Sequence, residues 1–221
     1  MSIKTKKLEI ISLMEKKKQV VLINKREFYR NLARLALPIA LQSLMLAAVA
    51  AGDALMLGKV AQDEMTAVSL ATQIQFVQNM FLSAATAAGG ILGAQYWGKG
   101  DKKTLEDIFN LMLWFCSIVS MLFFLACELI PELLMHIFTH DASLIVIGSA
   151  YLRIAGWSYL ITGISQCYLT TMKVSEHIKP GAFISCFAVI LNICLNAVFI
   201  FGLFGAPRMQ ARGAALATTI S

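Results

Sequence analysis

The chain has 221 residues, 58% of them hydrophobic and 14% charged, with a formal net charge of +6. A mean hydropathy of +0.70 and long unbroken apolar runs exclude an ordinary soluble domain, which carries more charge and interrupts such runs sooner. The positive charge does not point to nucleic acid, because it flanks the apolar runs, as in proteins whose cationic segments face anionic lipid.

Residues 1–34 form a basic segment with Lys4, Lys6, Lys7, Lys16, Lys17, Lys18, Lys25, Arg26, Arg30 and Arg34. No short apolar core with a small-residue cleavage site follows it, so a secretory signal is not expected. A bilayer core is crossed by about 20 apolar residues in helix. Five runs meet that length, at residues 35–57, 66–96, 108–130, 144–171 and 182–204. A sixth, 213–221, is too short to cross and reads as an incomplete span. With the basic segment in the cytoplasm, fifteen Lys and Arg fall inside, and only Lys59, Arg153, Arg208 and Arg212 fall outside. That asymmetry predicts a multi-pass protein of the cell membrane with a cytoplasmic N-terminus. The loops are short, so neighbouring helices are expected to be antiparallel. Gly98, Gly100 and Asp101 supply turn chemistry after the second span, and Pro180-Gly181 opens the fifth.

Cys116, Cys127, Cys167, Cys186 and Cys194 all lie inside apolar runs, without CxxC spacing. They read as small buried hydrophobes. His136, His140 and His177 sit at span ends, and no metal site or cofactor is expected. No nucleophile–base pair or phosphate loop is evident, which argues against an enzyme.

Asp53 stands alone in "MLAAVAAGDALMLG" (residues 45–58). A charged Asp at the centre of a span costs roughly 2.5–3.5 kcal/mol, and its short side chain reaches poorly to the interface. Gln42 lies three turns away, within roughly 20° on the same helix face. On the second span Gln75, Asn79 and Thr86 share a stripe, and on the fourth Tyr151, Ser158, Thr162 and Ser165 or Gln166 do. On the fifth, Ser185, Asn192 and Asn196 align. Such residues either bond neighbouring helices or line a wet cavity. The candidate lining is Gln42, Gln75, Asn79, Thr162 and Ser185; Met45, Phe76, Met80 and Met112 are candidates for an apolar part, which core packing explains equally well. Asn192 and Asn196, at i and i+4, can donate to a carboxylate or accept from a carboxylic acid, so they suit an Asp53 that binds a proton or Na⁺.

From about Leu32 to Ser221 the chain resembles the N-terminal half of the multidrug and toxic compound extrusion (MATE) transporters. The resemblance is carried by "LALPIALQ", "GDALMLGKVAQDEMTAVSLATQI", "GAQYWGKGD" and "LNICLNAVFIFGLFGAPRMQARGAALATTIS" in that order and spacing. It implies an all-α fold, a six-helix lobe of a twelve-helix, two-lobe transporter. It implies export of amphipathic, often cationic organic compounds in exchange for H⁺ or Na⁺. Asp53 matches the coupling carboxylate of the first helix, Asn192 and Asn196 the asparagines around it, and Pro38 a proline at which that helix bends. This sequence has Asn where some members carry a second acid on the fifth helix, and Leu169 where many carry Arg. The partners implied are membrane lipid, small organic cations, and a C-terminal lobe or a second copy. The alternatives are a lipid-linked sugar flippase of related fold, which would hold phosphate with several cavity cations, and a non-transporting half or assembly partner.

Overall fold

The computed structural model describes residues 25–58, 61–202 and 207–221. Most of the basic segment therefore lies outside the described residues. Among the described residues seven helices follow one another: α1 Lys25–Gly58, α2 Gln62–Lys99, α3 Lys102–Leu129, α4 Pro131–His136, α5 Ala142–Val174, α6 Ile178–Phe201 and α7 Gln210–Ile220. No strand occurs among the described residues, and the fold is all-α. The chain divides into two units, residues 1–40 and 41–221. In the first, α1 passes through Pro38, and Phe28 meets Tyr29 edge to face at 5.7 Å. A proline within a helix removes one backbone donor and permits a bend.

In the second unit the helix ends follow from local chemistry. Gly100 takes the left-handed conformation (φ 76°), which a side chain would oppose, and its N–H and that of Asp101 return to the carbonyls of Trp97 and Tyr96. Asp101 then caps α3, accepting from the Thr104 N–H at 3.1 Å and the Thr104 hydroxyl at 2.7 Å. Those bonds to Thr104 hold the Asp101 carboxyl below its ordinary pKa. Asp141 caps α5 in the same way through the Ser143 N–H at 2.8 Å, and its pKa is lowered for that reason. Pro131 opens the short α4, where proline's missing N–H is no loss.

Among the described residues three helices are long and apolar enough to cross a membrane: α3, α5 and residues Pro180–Phe201 of α6. α2 is longer still, 38 residues, but Gln73, Gln75, Gln78 and Asn79 interrupt its apolar character. Large apolar side chains on α3 stay exposed, Leu111 at 74% and Trp114 at 71%. In water such a surface would aggregate, whereas against lipid it is at no disadvantage.

α5 is the central element and packs on α2, α3, α4, α6 and α7. One buried cluster joins Val68, Ala71 and Ile74 of α2 to Tyr151, Leu152, Ala155 and Tyr159 of α5 and to Ala211, Ala214 and Ala215 of α7. A second joins Leu82, Met112, Cys116 and Cys167. Helices α3 and α5 approach closely at Gly163, where an added Cβ would collide with Ser120 Oγ and lie 2.9 Å from the Cys116 carbonyl oxygen. Phe124 on Trp157 and Phe109 on Tyr168 extend that contact along both helices.

Candidate functional site

A cavity of about 420 Å³ lies within the second unit, walled by α2, α5, α6 and α7. Asn79 enters from α2, and Ser158, Thr162, Ser165 and Gln166 from α5. Ser185 and Asn192 enter from α6, and Thr218, Thr219 and Ser221 from α7. Helical spacing explains part of the arrangement: residues four apart project from one face, so Ser158, Thr162 and Gln166 of α5 reach the cavity together. Ile161, Leu169, Ala188 and Val189 supply its apolar part. No charged side chain is among its described lining residues.

The hydrogen bonds set what this lining can offer a ligand. Ser158 and Thr162 each donate their hydroxyl proton to a backbone carbonyl of α5, both at 2.7 Å. Thr218 donates to the Ala214 carbonyl at 3.0 Å, and Thr219 to those of Ala215 at 2.8 Å and Ile154 at 3.2 Å. The hydroxyl protons are thus engaged in the helices, leaving oxygen lone pairs as what these four groups can still contribute. Gln166 Nε2 donates to Asn79 Oδ1 at 3.1 Å across α5 and α2. Asn196 Nδ2 donates to Asn192 Oδ1 at 2.9 Å, and Asn192 Nδ2 to Ser221 Oγ at 3.1 Å. Asn196 is fully buried and Asn192 nearly so. The pair forms a relay of amides from the interior of α6 to the cavity edge.

The remaining candidates fall in different places. Gln75 is half-buried on α2 and is not among the described lining residues. Thr86 is buried and bonds the Leu82 carbonyl of its own helix. Met112 packs against Leu82, Cys116 and Cys167 in the second core cluster, and Phe76 and Met80 are exposed. Asp53 and Gln42 lie on α1, and their side chains are outside the described residues. Among the described residues no three His, Cys, Asp or Glu gather as a metal cluster would require.

Sequence reasoning did not single out Gln78. It is fully buried, and its Nε2 donates to the Tyr159 carbonyl at 2.8 Å and to Ser120 Oγ at 3.3 Å. It joins three helices from a position about 80° round α2 from the middle of the Gln75–Asn79 stripe. Glu64, also not singled out, accepts from the Ala211 N–H at 3.0 Å.

Comparison with known proteins places this arrangement. The MatE family model matches residues 38–198. The probable multidrug resistance protein NorM of Bradyrhizobium diazoefficiens is 29% identical over 194 residues, covering 88% of this chain and 41% of that protein. The multidrug resistance protein MdtK of Yersinia enterocolitica is 27% identical, covering 86% of this chain and 41% of that one. A solved MOP superfamily transporter from Pyrococcus furiosus superposes with a TM-score of 0.73 at 18% identity, over 85% of this chain and 41% of that one. The chain thus spans about two fifths of the length of the relatives it matches. With a family match over most of its length and a shared all-helical bundle, this membrane protein belongs to the MatE family, of which it represents an N-terminal half.

Proposed function

We propose that this chain is one lobe of a cation-coupled antiporter of the cell membrane, with its N-terminus in the cytoplasm. The whole transporter would export amphipathic, often cationic organic compounds in exchange for H⁺ or Na⁺. The second lobe would be either a C-terminal half or a second copy of this chain. The observation that carries the proposal is the acceptor-rich cavity at the asparagine pair, with no charged side chain among its described lining residues, in a family whose relatives are named for multidrug resistance. Oxygen lone pairs beside apolar side chains suit a bulky cation better than a phosphate.

In this mechanism Asp53 supplies the negative charge. As a carboxylate it accepts amide N–H bonds and holds a cation. Once protonated it donates to an amide oxygen instead, so Asn192 and Asn196 must rearrange. Bending of α1 at Pro38 would carry that change to the rest of the helix. Vesicles holding the complete transporter test the role directly. Asp53→Asn is expected to reduce pH- or Na⁺-driven export of a fluorescent organic cation at least tenfold. Undiminished export would remove Asp53 from the coupling step.

A further inference from the structure

Arg153 is exposed on α5, a helix long and apolar enough to cross a bilayer. Among the described residues its guanidinium has no ion pair and no hydrogen bond. Its level in the bundle follows from its neighbours. Gly163 lies against Ser120 and Gly156 against Cys127, so α3 and α5 run antiparallel. Trp157, one turn along α5 from Arg153, meets Phe124 of α3 edge to face, with ring centres 4.9 Å apart. Residues four apart share a helix face, so one turn back on α5 and one turn on along α3 bring Arg153 opposite Glu128. Glu128 is half-buried, and the two charges form no ion pair with each other.

This level is the edge of the bilayer. α3 has 28 residues and Glu128 is the last but one. A helix of that length spans about 42 Å against an apolar core of about 30 Å, so its last turn reaches the lipid headgroups. Side chains on a helix lean toward its N-terminus, which for Arg153 is the direction of Asp141, out of the bilayer. The guanidinium thus reaches headgroup level while its stem stays among acyl chains. Below it the surface is apolar and open, with Trp157 53%, Leu122 62% and Leu125 42% exposed. None of Arg153, Glu128, Trp157 and Phe124 is among the described residues of the cavity.

An unpaired guanidinium at this depth binds a phosphate through paired N–H bonds. A carboxylate at the same level repels a second negative charge but accepts N–H bonds from an ammonium. We infer that Arg153 and Glu128 form a headgroup site for a phospholipid with a primary ammonium, such as phosphatidylethanolamine. Arg153 takes the phosphate, Glu128 takes the ammonium, and an acyl chain lies along Trp157 and Phe124. A choline headgroup has no N–H for Glu128, and a glycerol headgroup brings it no positive charge.

The test uses the full chain in micelles that hold phosphatidylethanolamine, phosphatidylcholine or phosphatidylglycerol with matched acyl chains. Bound lipid is counted by native mass spectrometry. The wild type is expected to hold phosphatidylethanolamine about fivefold more tightly than either of the others, a factor matching one hydrogen bond. Arg153→Ala is expected to weaken that binding about tenfold, as for loss of a charge-assisted bond, with Arg153→Lys in between. Glu128→Gln is expected to bring phosphatidylethanolamine and phosphatidylcholine within about a factor of two of each other. Equal binding of the three lipids by the wild type would overturn the site, and so would wild-type binding by Arg153→Ala. A full preference that survives Glu128→Gln would overturn the ammonium contact.

Discussion

Gln78 reaches from α2 into the crossing of α3 and α5, and three helices depend on one amide there. The carbonyl it meets, that of Tyr159, is also the i→i+4 acceptor for the N–H of Gly163, a residue at which α3 and α5 approach closely. Interhelical side-chain bonds of this kind contribute about 0.6 kcal/mol on average in membranes, and a truncation adds the loss from the space it leaves. Gln78→Ala is therefore expected to destabilise the bundle by about 1–3 kcal/mol, read as a shift in the denaturation midpoint in micelles. Gln78→Leu refills most of the volume without the bonds, and should recover more than half of that loss. The stripe rule passed over this residue. Gln78 lies about 80° round α2 from the middle of the Gln75–Asn79 stripe, and its main partner is a backbone carbonyl that carries no sequence signature. Asn79 and Thr162 stood out because residues four away are polar too, and Ser185 because Asn192 follows it by seven.

At the scale of the helices, close approach at Gly163 fixes the α3–α5 pair. Gly163→Ala would set a methyl group against Ser120 Oγ and, at 2.9 Å, against the Cys116 carbonyl oxygen, which belongs to the backbone and cannot rotate away. Overpacking of this sort costs typically 1–3 kcal/mol. The expected result is a lower thermal transition. Adding Ser120→Ala should restore part of it, since the hydroxyl is removed but the carbonyl remains. The helices themselves were largely readable, because apolar runs, Gly100, Asp101 and Asp141 mark them chemically. α4 was not anticipated, although Pro131 is a start signal. A six-residue helix carries too few apolar positions for its period to register. The separation of Met112 from the cavity was equally hidden, since core and lining methionines share the same spacing on a helix.

For the molecule as a whole, the cavity wall seen here comes from one lobe, and the relatives are more than twice as long. Transport is therefore expected to require a second six-helix lobe. Proteoliposomes that hold this 221-residue chain singly should show no cation-driven export. Export should appear when a C-terminal half is supplied or when two copies are covalently joined. Activity from single chains would mean that one lobe suffices.

The turn at Gly100 has a consequence for how the protein reaches the bilayer. α2 ends at Lys99 and α3 begins at Lys102, with Gly100 and Asp101 both committed to capping bonds, so the connection has no slack. α3 is apolar enough to partition into lipid unaided, whereas α2 carries four amides in its middle. The two are therefore expected to enter the membrane as a helical hairpin, the more apolar helix favouring entry of its polar neighbour.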